Sequence, residues 1–229
     1  MNQNSIICAI DTIEINQAVK LANEVTPYVV MIKLGLEFFY RNGISGVEEI
    51  KKCGLPIFLD LKLHDIPNTV AGALKAVEPL GLDIITIHTL AGGGVLKKAV
   101  ETINSLKKTP LLAGVTILTS IDDISEIGIN LAIRDEILKL TELAINSGLN
   151  AVVCSPQEIK PIRKNFGSKI KIITPGIRLS NAIMDDQKRV MTPKQAIAEG
   201  ADYLVIGRPI TSAPSPAKAA KKIFESLGF

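Results

Sequence analysis

Apolar runs alternate along the whole chain with segments that have helical spacing. Segments such as VEEIKKCG and RDEILKLTELAINSG repeat their apolar residues at helical period, and several end in glycine, as helices often do. Near-continuous apolar strands between helices indicate a parallel sheet that is covered on its other side. The apolar runs that we interpret as strands are SIICAID (5–11), VVMIKLG (29–35), PIFLDLK (56–62), DIITIHT (83–89), LLAGVTILT (111–119), AVVCS (151–155), KIITPGI (171–177) and YLVIGR (203–208).

Eight such strand–helix units follow one another without a linker or a break in composition. This number and regularity predict an α/β fold, a (β/α)8 TIM barrel that forms a single domain over residues 1–229. An open, doubly wound sheet is the alternative. The first strand gives that alternative no support, because no G-x-G-x-x-G of a dinucleotide site follows it.

Composition limits the kind of protein. No apolar run approaches the roughly 20 residues of a membrane span, and the N-terminus lacks the basic and apolar regions of a signal peptide. The three cysteines have no metal-like spacing, so we expect a cytoplasmic protein with reduced thiols. The net charge of +3 is slight, and its lysines and arginines are spread out. This favours an anionic small molecule over a nucleic acid or membrane as the partner.

Polar residues stand where the predicted strands end. Catalytic residues of such barrels lie at the carboxyl ends of the strands, so a ring of polar groups there is typical of an enzyme. Strands can also become polar simply on leaving the core, which accounts well for Ser155 and His88. It does not account for Lys33, Asp60 and Lys62, whose burial requires partners. The strand-end residues are Asp11, Lys33, Asp60 with Lys62, His88, Thr119 with Ser120, Ser155, Pro175 with Gly176, and Gly207 with Arg208.

The third strand carries the most unusual pattern, D-x-K-x-x-D, formed by Asp60, Lys62 and Asp65. Side chains alternate along a strand, so Asp60 and Lys62 are expected on one face. Asp65 falls in the following loop, before the Ile-Pro that should start the next helix. Because burying either ion alone is costly, the pair must neutralise each other, line an open site, or do both.

The longer stretch DLKLHDIPNT (60–69) resembles the signature of the orotidine 5′-phosphate decarboxylase family. D-x-K-x-x-D alone is shared with sugar-phosphate relatives, but the resemblance here covers essentially the whole chain. It implies decarboxylation of orotidine 5′-monophosphate to UMP and CO2, the last step of de novo pyrimidine synthesis, without cofactor or metal. The other motifs that follow the family in order are AID at Asp11, IKLG at Lys33, LTS at Thr119–Ser120, TPGIR ending at Arg178, DDQKRVMTP around Gln187, and IGRPIT at Gly207–Arg208.

The resemblance also implies roles for the residues of the third strand. Lys62 is similar to the lysine that protonates C6 of the pyrimidine as CO2 leaves. Lys33, Asp60, Lys62 and Asp65 would form an alternating network of charges around the reacting bond. In the family, the residues matching Asp65 and Thr69 reach into the partner subunit's site, so the resemblance implies a homodimer with shared active sites.

Contacts to the rest of the substrate are implied in the same way. Asp11 and Lys33 would contact the ribose hydroxyls. Ser120 would hydrogen-bond the pyrimidine ring, with Thr119 beside it.

The phosphate would be held by Gln187, Gly207 and Arg208. Arg178 would open the long polar segment 178–193, which we interpret as a loop that closes over the phosphate because it far exceeds the usual 2–6 residues of such a connection.

Physical chemistry agrees with this interpretation. Loss of CO2 leaves an electron pair on an sp2 carbon without an adjacent π system, and the sequence has no pyridoxal or thiamin signature. The protein must therefore supply electrostatic stabilisation, and a lysine between carboxylates is favoured in its charged form. Enzymes lower barriers by about 8–23 kcal/mol, whereas one oxyanion-type donor contributes about 2.7–4 kcal/mol. Binding energy from the phosphate must therefore contribute.

Two alternatives remain at this point. Enzymes of the same superfamily that act on keto-sugar phosphates, such as 3-keto-gulonate-phosphate decarboxylase or hexulose-phosphate synthase, share D-x-K-x-x-D but use a divalent metal. The continuation HDIPNT, Ser120 and Gln187 argue against them. The other alternative is a non-catalytic nucleotide-binding barrel. It should have lost Lys62 or one of the aspartates, and neither is missing.

Overall fold

The computed structural model describes residues 4–178 and 191–228. Eight parallel strands pair in sequence order, and the last pairs with the first, so the sheet is a closed barrel. The predicted (β/α)8 barrel is confirmed, and the open-sheet alternative is wrong. The strands are β1 (Ile6–Ile10), β2 (Met31–Leu34), β3 (Ile57–Leu63), β4 (Ile84–His88), β5 (Leu111–Val115), β6 (Ala151–Val153), β7 (Lys171–Thr174) and β8 (Tyr203–Ile206).

Helices follow the strands and cover the outside of the barrel. Pro67 is the first residue of its helix, as the sequence predicts, because its fixed φ suits that position and its missing N–H is not needed there. The helices of the described residues are α1 (Ile15–Val25), α2 (Leu36–Lys51), α3 (Pro67–Ala76), α4 (Gly93–Asn104), α5 (Ile133–Asn146), α6 (Ile159–Phe166), α7 (Pro193–Glu199), α8 (Arg208–Thr211) and α9 (Pro216–Ser226).

The strands are apolar on both faces because both faces are buried. One set of side chains fills the interior of the barrel and includes Ile7, Met31, Phe58 and Ile84. The neighbouring set, such as Ile6 and Ile32, packs outward with the helices in a second and larger cluster. This arrangement explains why the strand sequences show continuous rather than alternating apolar residues.

β3 departs from regular strand geometry near its carboxyl end. Leu59 pairs with Ile85 and Leu63 with Ile87, so β3 advances four residues while β4 advances two. Within this bulge Lys62 has φ of 51°, and it is the only non-glycine residue at positive φ in the described part of the chain. Bulges re-aim side chains and are frequent beside active sites. The irregularity therefore marks the D-x-K-x-x-D stretch as more than core.

Residues near the two ends of the segment between β7 and α7 are paired with each other. Ile177 and Met191 form an isolated parallel bridge, and the Arg178 N–H donates to the Met191 carbonyl over 3.0 Å. Residues 179–190 lie outside the described residues. They include Gln187 and most of the loop that the sequence predicts to close over the phosphate. No helix in the described ranges is long and apolar enough to cross a membrane.

Candidate active site

The inner face of the barrel changes from apolar to charged towards the carboxyl ends of the strands. Ile7 and Ala9 on β1 are followed at the next inward position by Asp11, and Met31 on β2 is followed by Lys33. These positions border a cleft of about 260 Å3, here called the mouth cleft. Its lining includes these predicted site residues: Asp11, Lys33, Asp60, Lys62, Thr119, Arg178, Gly207 and Arg208.

Asp60 and Lys62 are joined directly in the lining of this cleft. The Lys62 Nζ donates to Asp60 Oδ1 over 2.9 Å, and Asp60 is almost fully buried. Strand alternation predicts that the two side chains share one face, and the structure shows that they both pair with each other and line the cleft. The structure also shows a bulge in β3 and a left-handed backbone at Lys62, and alternation predicts neither of these.

Lys33 and Asp11 extend the pair into a row of alternating charges. The Lys33 Nζ lies 3.2 Å from Asp60 Oδ2 and 3.6 Å from Asp11 Oδ1. The sequence order Asp11, Lys33, Asp60, Lys62 is thus a spatial order of alternating charges along three adjacent strands. We call these four side chains the charged wall.

Ionisation of the charged wall is set by its own members. Burial by itself lowers the pKa of the Lys33 ammonium, but the attraction of Asp60 and Asp11 is larger, so this pKa lies above its ordinary value. Burial raises the pKa of the Asp60 carboxyl, but Lys33 and Lys62, together with hydrogen bonds from Lys62 and Thr86, hold this pKa below its ordinary value. Asp60 is therefore ionised and Lys33 protonated at neutral pH.

Thr86 belongs to this arrangement, and the sequence analysis missed it. Its hydroxyl donates to Asp60 Oδ1 over 3.0 Å and accepts the Lys62 backbone N–H over 2.8 Å. A threonine within DIITIHT looks like an ordinary strand residue, since β-branched side chains favour strands. The available signal was that Thr86 is the one polar residue at an inward position between Ile84 and His88.

His88 lies beside the charged wall. Its ring stacks on that of His64 with centroids 5.2 Å apart, and its Nδ1 accepts the Leu90 N–H over 3.4 Å. Burial, then the neighbouring His64 and Lys62, lower the pKa of His88 to about 4. The described residues contain no group of three or more His, Cys, Asp or Glu side chains that could hold a metal ion.

Asp65 and Thr69 lie outside the mouth cleft. Asp65 is exposed, and its carboxylate accepts the Ile66 N–H over 2.7 Å. Both residues line a neighbouring hollow of about 310 Å3, here called the side recess, whose lining also includes Tyr40 and Lys62. Lys62 is therefore shared by the mouth cleft and the side recess. Within one chain the alternating charges reach from Asp11 to Lys62 and do not extend to Asp65.

The side of the mouth cleft across from the charged wall is apolar. Val115, Ile117 and Val153, from β5 and β6 and the residues that follow β5, line it. Strands four apart in a ring of eight face each other, so this surface lies opposite β1 and β2. We call it the apolar wall. Thr119 borders the cleft beyond it, whereas Ser120 is an exposed turn residue that is not part of the cleft lining.

Glycine and arginine residues form the remaining rim. Gly207 follows β8 and lies beside Asp11, and Arg208 begins α8. Arg178, which follows the neighbouring strand β7, also lines the cleft, and its guanidinium donates to the Ile177 carbonyl over 3.0 Å. Gly35 is needed for space, because a Cβ there would lie 3.1 Å from Asp11 Oδ1 and 3.4 Å from the Lys33 Nζ. A small residue at this point leaves room for the ion pair.

Comparison with known proteins identifies the family of this site. The model of the orotidine 5′-phosphate decarboxylase / HUMPS family matches residues 4–223. The chain belongs to this family. The resemblance carried by the sequence motifs is therefore confirmed, and the chain is a member of an enzyme family.

Similar proteins cover almost the full length of the chain. The orotidine 5′-phosphate decarboxylase of Wolbachia pipientis subsp. Culex pipiens (strain wPip) is 49% identical over 226 residues, which are 98% of this chain and 99% of that protein. The enzyme of the same name from Ehrlichia canis (strain Jake) is 45% identical over 227 residues, 98% of each chain.

Solved structures in this family have the same architecture. The crystal structure of orotidine 5′-phosphate decarboxylase from Lactobacillus acidophilus superposes with a TM-score of 0.86 at 35% identity, covering 99% of this chain and all of that one. The orotidine 5′-monophosphate decarboxylase of Methanocaldococcus jannaschii, solved with the inhibitor BMP, gives a TM-score of 0.81 at 24% identity with full coverage of both chains. At that identity the second likeness shows the fold alone.

Proposed function

We propose that residues 1–229, acting as a single cytoplasmic domain, decarboxylate orotidine 5′-monophosphate to UMP and CO2 without a cofactor or a metal ion. This is the last step of de novo pyrimidine synthesis. The observation that carries the proposal is the charged wall: a row of alternating acids and amines with buried Lys33 and Asp60 at its centre, which ends in Lys62 in the lining of the mouth cleft. Membership of the family and the relatives named above support the same activity.

The proposed step is bond cleavage followed by proton transfer. The bond between C6 and the carboxylate carbon breaks, CO2 leaves, and the electron pair stays on C6. The Lys62 ammonium stabilises that charge, donates a proton from Nζ to C6, and is reprotonated by solvent. No other group needs to accept electrons, so the chemistry depends on a fixed cation at this point.

The rest of the charged wall keeps this cation in place. Asp60 holds the Lys62 Nζ through Oδ1 and the Lys33 Nζ through Oδ2. Because its lowered pKa keeps Asp60 ionised, it can hold both amines at neutral pH. A preorganised charge of this kind avoids reorganisation at the moment of reaction, which is where enzymes obtain much of their rate enhancement. Lys33 and Asp11 also offer charged partners to the ribose hydroxyls.

The other surfaces of the mouth cleft suit the rest of the nucleotide. The apolar wall can accept the faces of the pyrimidine ring, with Thr119 at the border of the cleft beside it. Ser120, the ring partner that the sequence resemblance implies, lies next to Thr119 in an exposed turn and would have to turn inward to reach the ring. Gly207, Arg208 and Arg178 supply a backbone and two guanidinium groups for the phosphate. Gln187, the fourth phosphate group that the sequence predicts, lies outside the described residues.

A homodimer with shared sites is part of the proposal. Asp65 and Thr69 line the side recess on the far side of Lys62, and the surface around them is apolar: Tyr40 is 83% and Ile66 is 66% exposed. A second copy of the chain that covers this surface would bury these side chains. By two-fold symmetry it would also bring its own Asp65 towards Lys62. The pair would then complete the charge network that one chain leaves open.

The activity can be tested by ultraviolet absorbance. Purified protein is mixed with orotidine 5′-monophosphate in excess chelator, beside a Lys62→Ala variant as the matched control. We expect the orotidylate absorbance to disappear with the wild type only. If turnover requires magnesium and a keto-sugar phosphate, the chain belongs to the metal-dependent branch and the proposal is wrong.

Sharing of sites can be tested by mixing two inactive variants. In a heterodimer of Asp65→Asn and Lys62→Ala subunits, one of the two sites has both wild-type residues. Random exchange should restore about a quarter of wild-type activity, since half of the dimers are heterodimers with one intact site each. If exchange is demonstrated by a labelled subunit and no activity returns, each site is built within one chain.

A further inference from the structure

Thr86 links the backbone of Lys62 to the carboxylate of Asp60. It lies at an inward position of β4, is fully buried, and is not part of the mouth cleft lining. Its Oγ1 is 2.8 Å from the Lys62 backbone nitrogen and 3.0 Å from Asp60 Oδ1. It therefore contacts both members of the ion pair without facing the substrate.

The direction of these two hydrogen bonds is fixed. A backbone N–H can only donate, so Thr86 Oγ1 must accept from Lys62. An ionised carboxylate can only accept, so the single hydroxyl proton of Thr86 must go to Asp60. Asp60 Oδ1 also accepts from the Lys62 Nζ over 2.9 Å. The result is a closed ring of hydrogen bonds from the Lys62 N–H through Thr86 and Asp60 back to the Lys62 ammonium.

The bulge in β3 explains why the ring needs a side chain. Between Leu59 and Leu63 the regular pairing with β4 is interrupted, so the Lys62 N–H binds the Thr86 hydroxyl rather than a strand carbonyl. At the same residue the backbone is left-handed, with φ of 51°. A non-glycine residue keeps such a conformation only when its surroundings hold it there, and such strain is concentrated at functional sites.

We propose that Thr86 is a positioning residue for the reaction. Its hydroxyl holds Lys62 in the left-handed conformation and thereby fixes where the Lys62 ammonium stands beneath the reacting carbon. The inference rests on the proposed decarboxylase function, and it adds the group that aims the proton donor. Because the hydroxyl acts on the direction of Lys62 and not on the substrate, it should affect the chemical step rather than binding.

Two substitutions separate the hydroxyl from the shape of the side chain. Thr86→Val keeps the shape and loses the oxygen, whereas Thr86→Ser keeps the oxygen and loses a methyl group. We expect kcat for orotidine 5′-monophosphate to fall about 100-fold in Thr86→Val, the order of loss for a misplacement of about 1 Å, with KM near the wild-type value. Thr86→Ser should retain nearly full kcat even though it melts at a lower temperature.

A merely structural role gives another pattern. Wild-type kcat in Thr86→Val, or an equal loss of kcat in both variants, would overturn the inference. If Thr86→Val does not fold, the pair Thr86→Ala and Thr86→Ser decides the matter, because these two variants differ by one oxygen. Ala should lose kcat and Ser should keep it; equal kcat values in the two would contradict the proposal.

Crystal structures of wild type and Thr86→Val give a readout that does not depend on activity. We expect the variant to lose either the left-handed backbone at Lys62 or the hydrogen bond between the Lys62 Nζ and Asp60 Oδ1. If both persist unchanged, Thr86 does not position Lys62. Failure of the wild type to decarboxylate orotidylate would refute the proposed function, and the crystal comparison would still decide whether the hydroxyl holds the pair.

Discussion

The two walls of the mouth cleft are built on different principles. The charged wall uses adjacent strands, because each buried ion needs an opposite ion within a few ångströms: Lys33 reaches both Asp11 and Asp60. The apolar wall of Val115, Ile117 and Val153 needs no such partners, and Val153 packs directly against the cluster that fills the barrel interior. One wall is therefore a network in which each residue depends on its neighbours. The other is a surface whose residues act nearly independently.

This difference predicts how substitutions combine. Changes in the charged wall should be large and far from additive, because removal of one ion leaves another uncompensated. Changes in the apolar wall should be small and close to additive.

The largest effect is expected at Lys62. Lys62→Ala removes both the cation and the proton, and kcat should fall on the order of 10⁴-fold. Lys62→Arg keeps a positive charge but cannot give up a proton at accessible pH, so it should lose nearly as much. Single-turnover absorbance of orotidine 5′-monophosphate measures both variants. Lys171→Ala, an exposed residue at the opposite end of the barrel, is the control and should retain wild-type activity. An active Lys62→Arg would mean that charge alone suffices.

The second effect concerns stability. Asp60→Asn leaves two ammonium groups facing an uncharged amide, and the free energy of unfolding should fall by about 3–5 kcal/mol in urea denaturation. Glu225→Gln breaks the exposed pair with Lys221 and should change it by only about 0.3–0.5 kcal/mol. Equal changes in the free energy of unfolding of the two variants would mean that the ion pairs of Asp60 contribute no more to stability than a surface ion pair.

Asp60 also gives stability a dependence on pH. Its folded pKa is lowered, so its contribution is present above the unfolded pKa, about 3.9, and is lost as pH falls through the folded value. The wild type should therefore lose stability below about pH 4. The Asp60→Asn variant should lack this part of the acid transition, so the difference between the two proteins should shrink as the pH is lowered.

An intermediate effect is expected at the rim. Arg208→Ala removes a guanidinium from the proposed phosphate site, and kcat/KM for the nucleotide should fall about 10–100-fold, the worth of one charged hydrogen bond. Orotidine without its phosphate should react equally slowly with wild type and variant, since it makes no such contact. A matching loss with both substrates would place the effect of Arg208 elsewhere than at the phosphate.

The smallest effect is expected in the apolar wall. Val153→Ala removes two methyl groups from its surface, and kcat/KM should fall about 10-fold, as for small changes in an apolar pocket. The double variant with Arg208→Ala should show the product of the two single effects. A strong departure from that product would show that the apolar wall is coupled to the rest of the site.

The sequence predicted these two walls with unequal success. Lys33, Asp60 and Lys62 could be found because charges at the ends of apolar strands need partners, and Asp11 because it ends the first apolar run. Val115 and Val153 could not, because an apolar residue that lines a cleft has the same sequence signature as one that faces the core. The predicted strand bounds are also too wide: the sequence predicts LLAGVTILT as one strand over 111–119, but β5 ends at Val115. Apolar side chains continue beyond the strand there, and Ile117 is buried all the same.

Backbone geometry at Lys62 was beyond sequence reasoning. Left-handed residues are usually glycine or asparagine, so a lysine in a strand gives no sign of one. The hydrogen bond from the Lys62 N–H to Thr86 depends on the bulge, so the sequence could not predict it either. Asp65 and Thr69 were found from the family resemblance, yet one chain places them in the side recess. Their proposed contact with a site depends on a second chain, about which spacing along one sequence carries no information.

Closure of the barrel has a consequence for the order in which the site can form during folding. Ile6 pairs with Leu204 and Cys8 with Ile206, so the last pairing joins the two ends of the chain. Local strand pairs can form early, whereas this contact must close a loop that contains almost every other residue, which slows its formation. Asp11 and Gly207 become neighbours only through that pairing. The charged wall can therefore assemble from the first three strands soon after they are made, but the proposed nucleotide site is complete only after the final strand has been added.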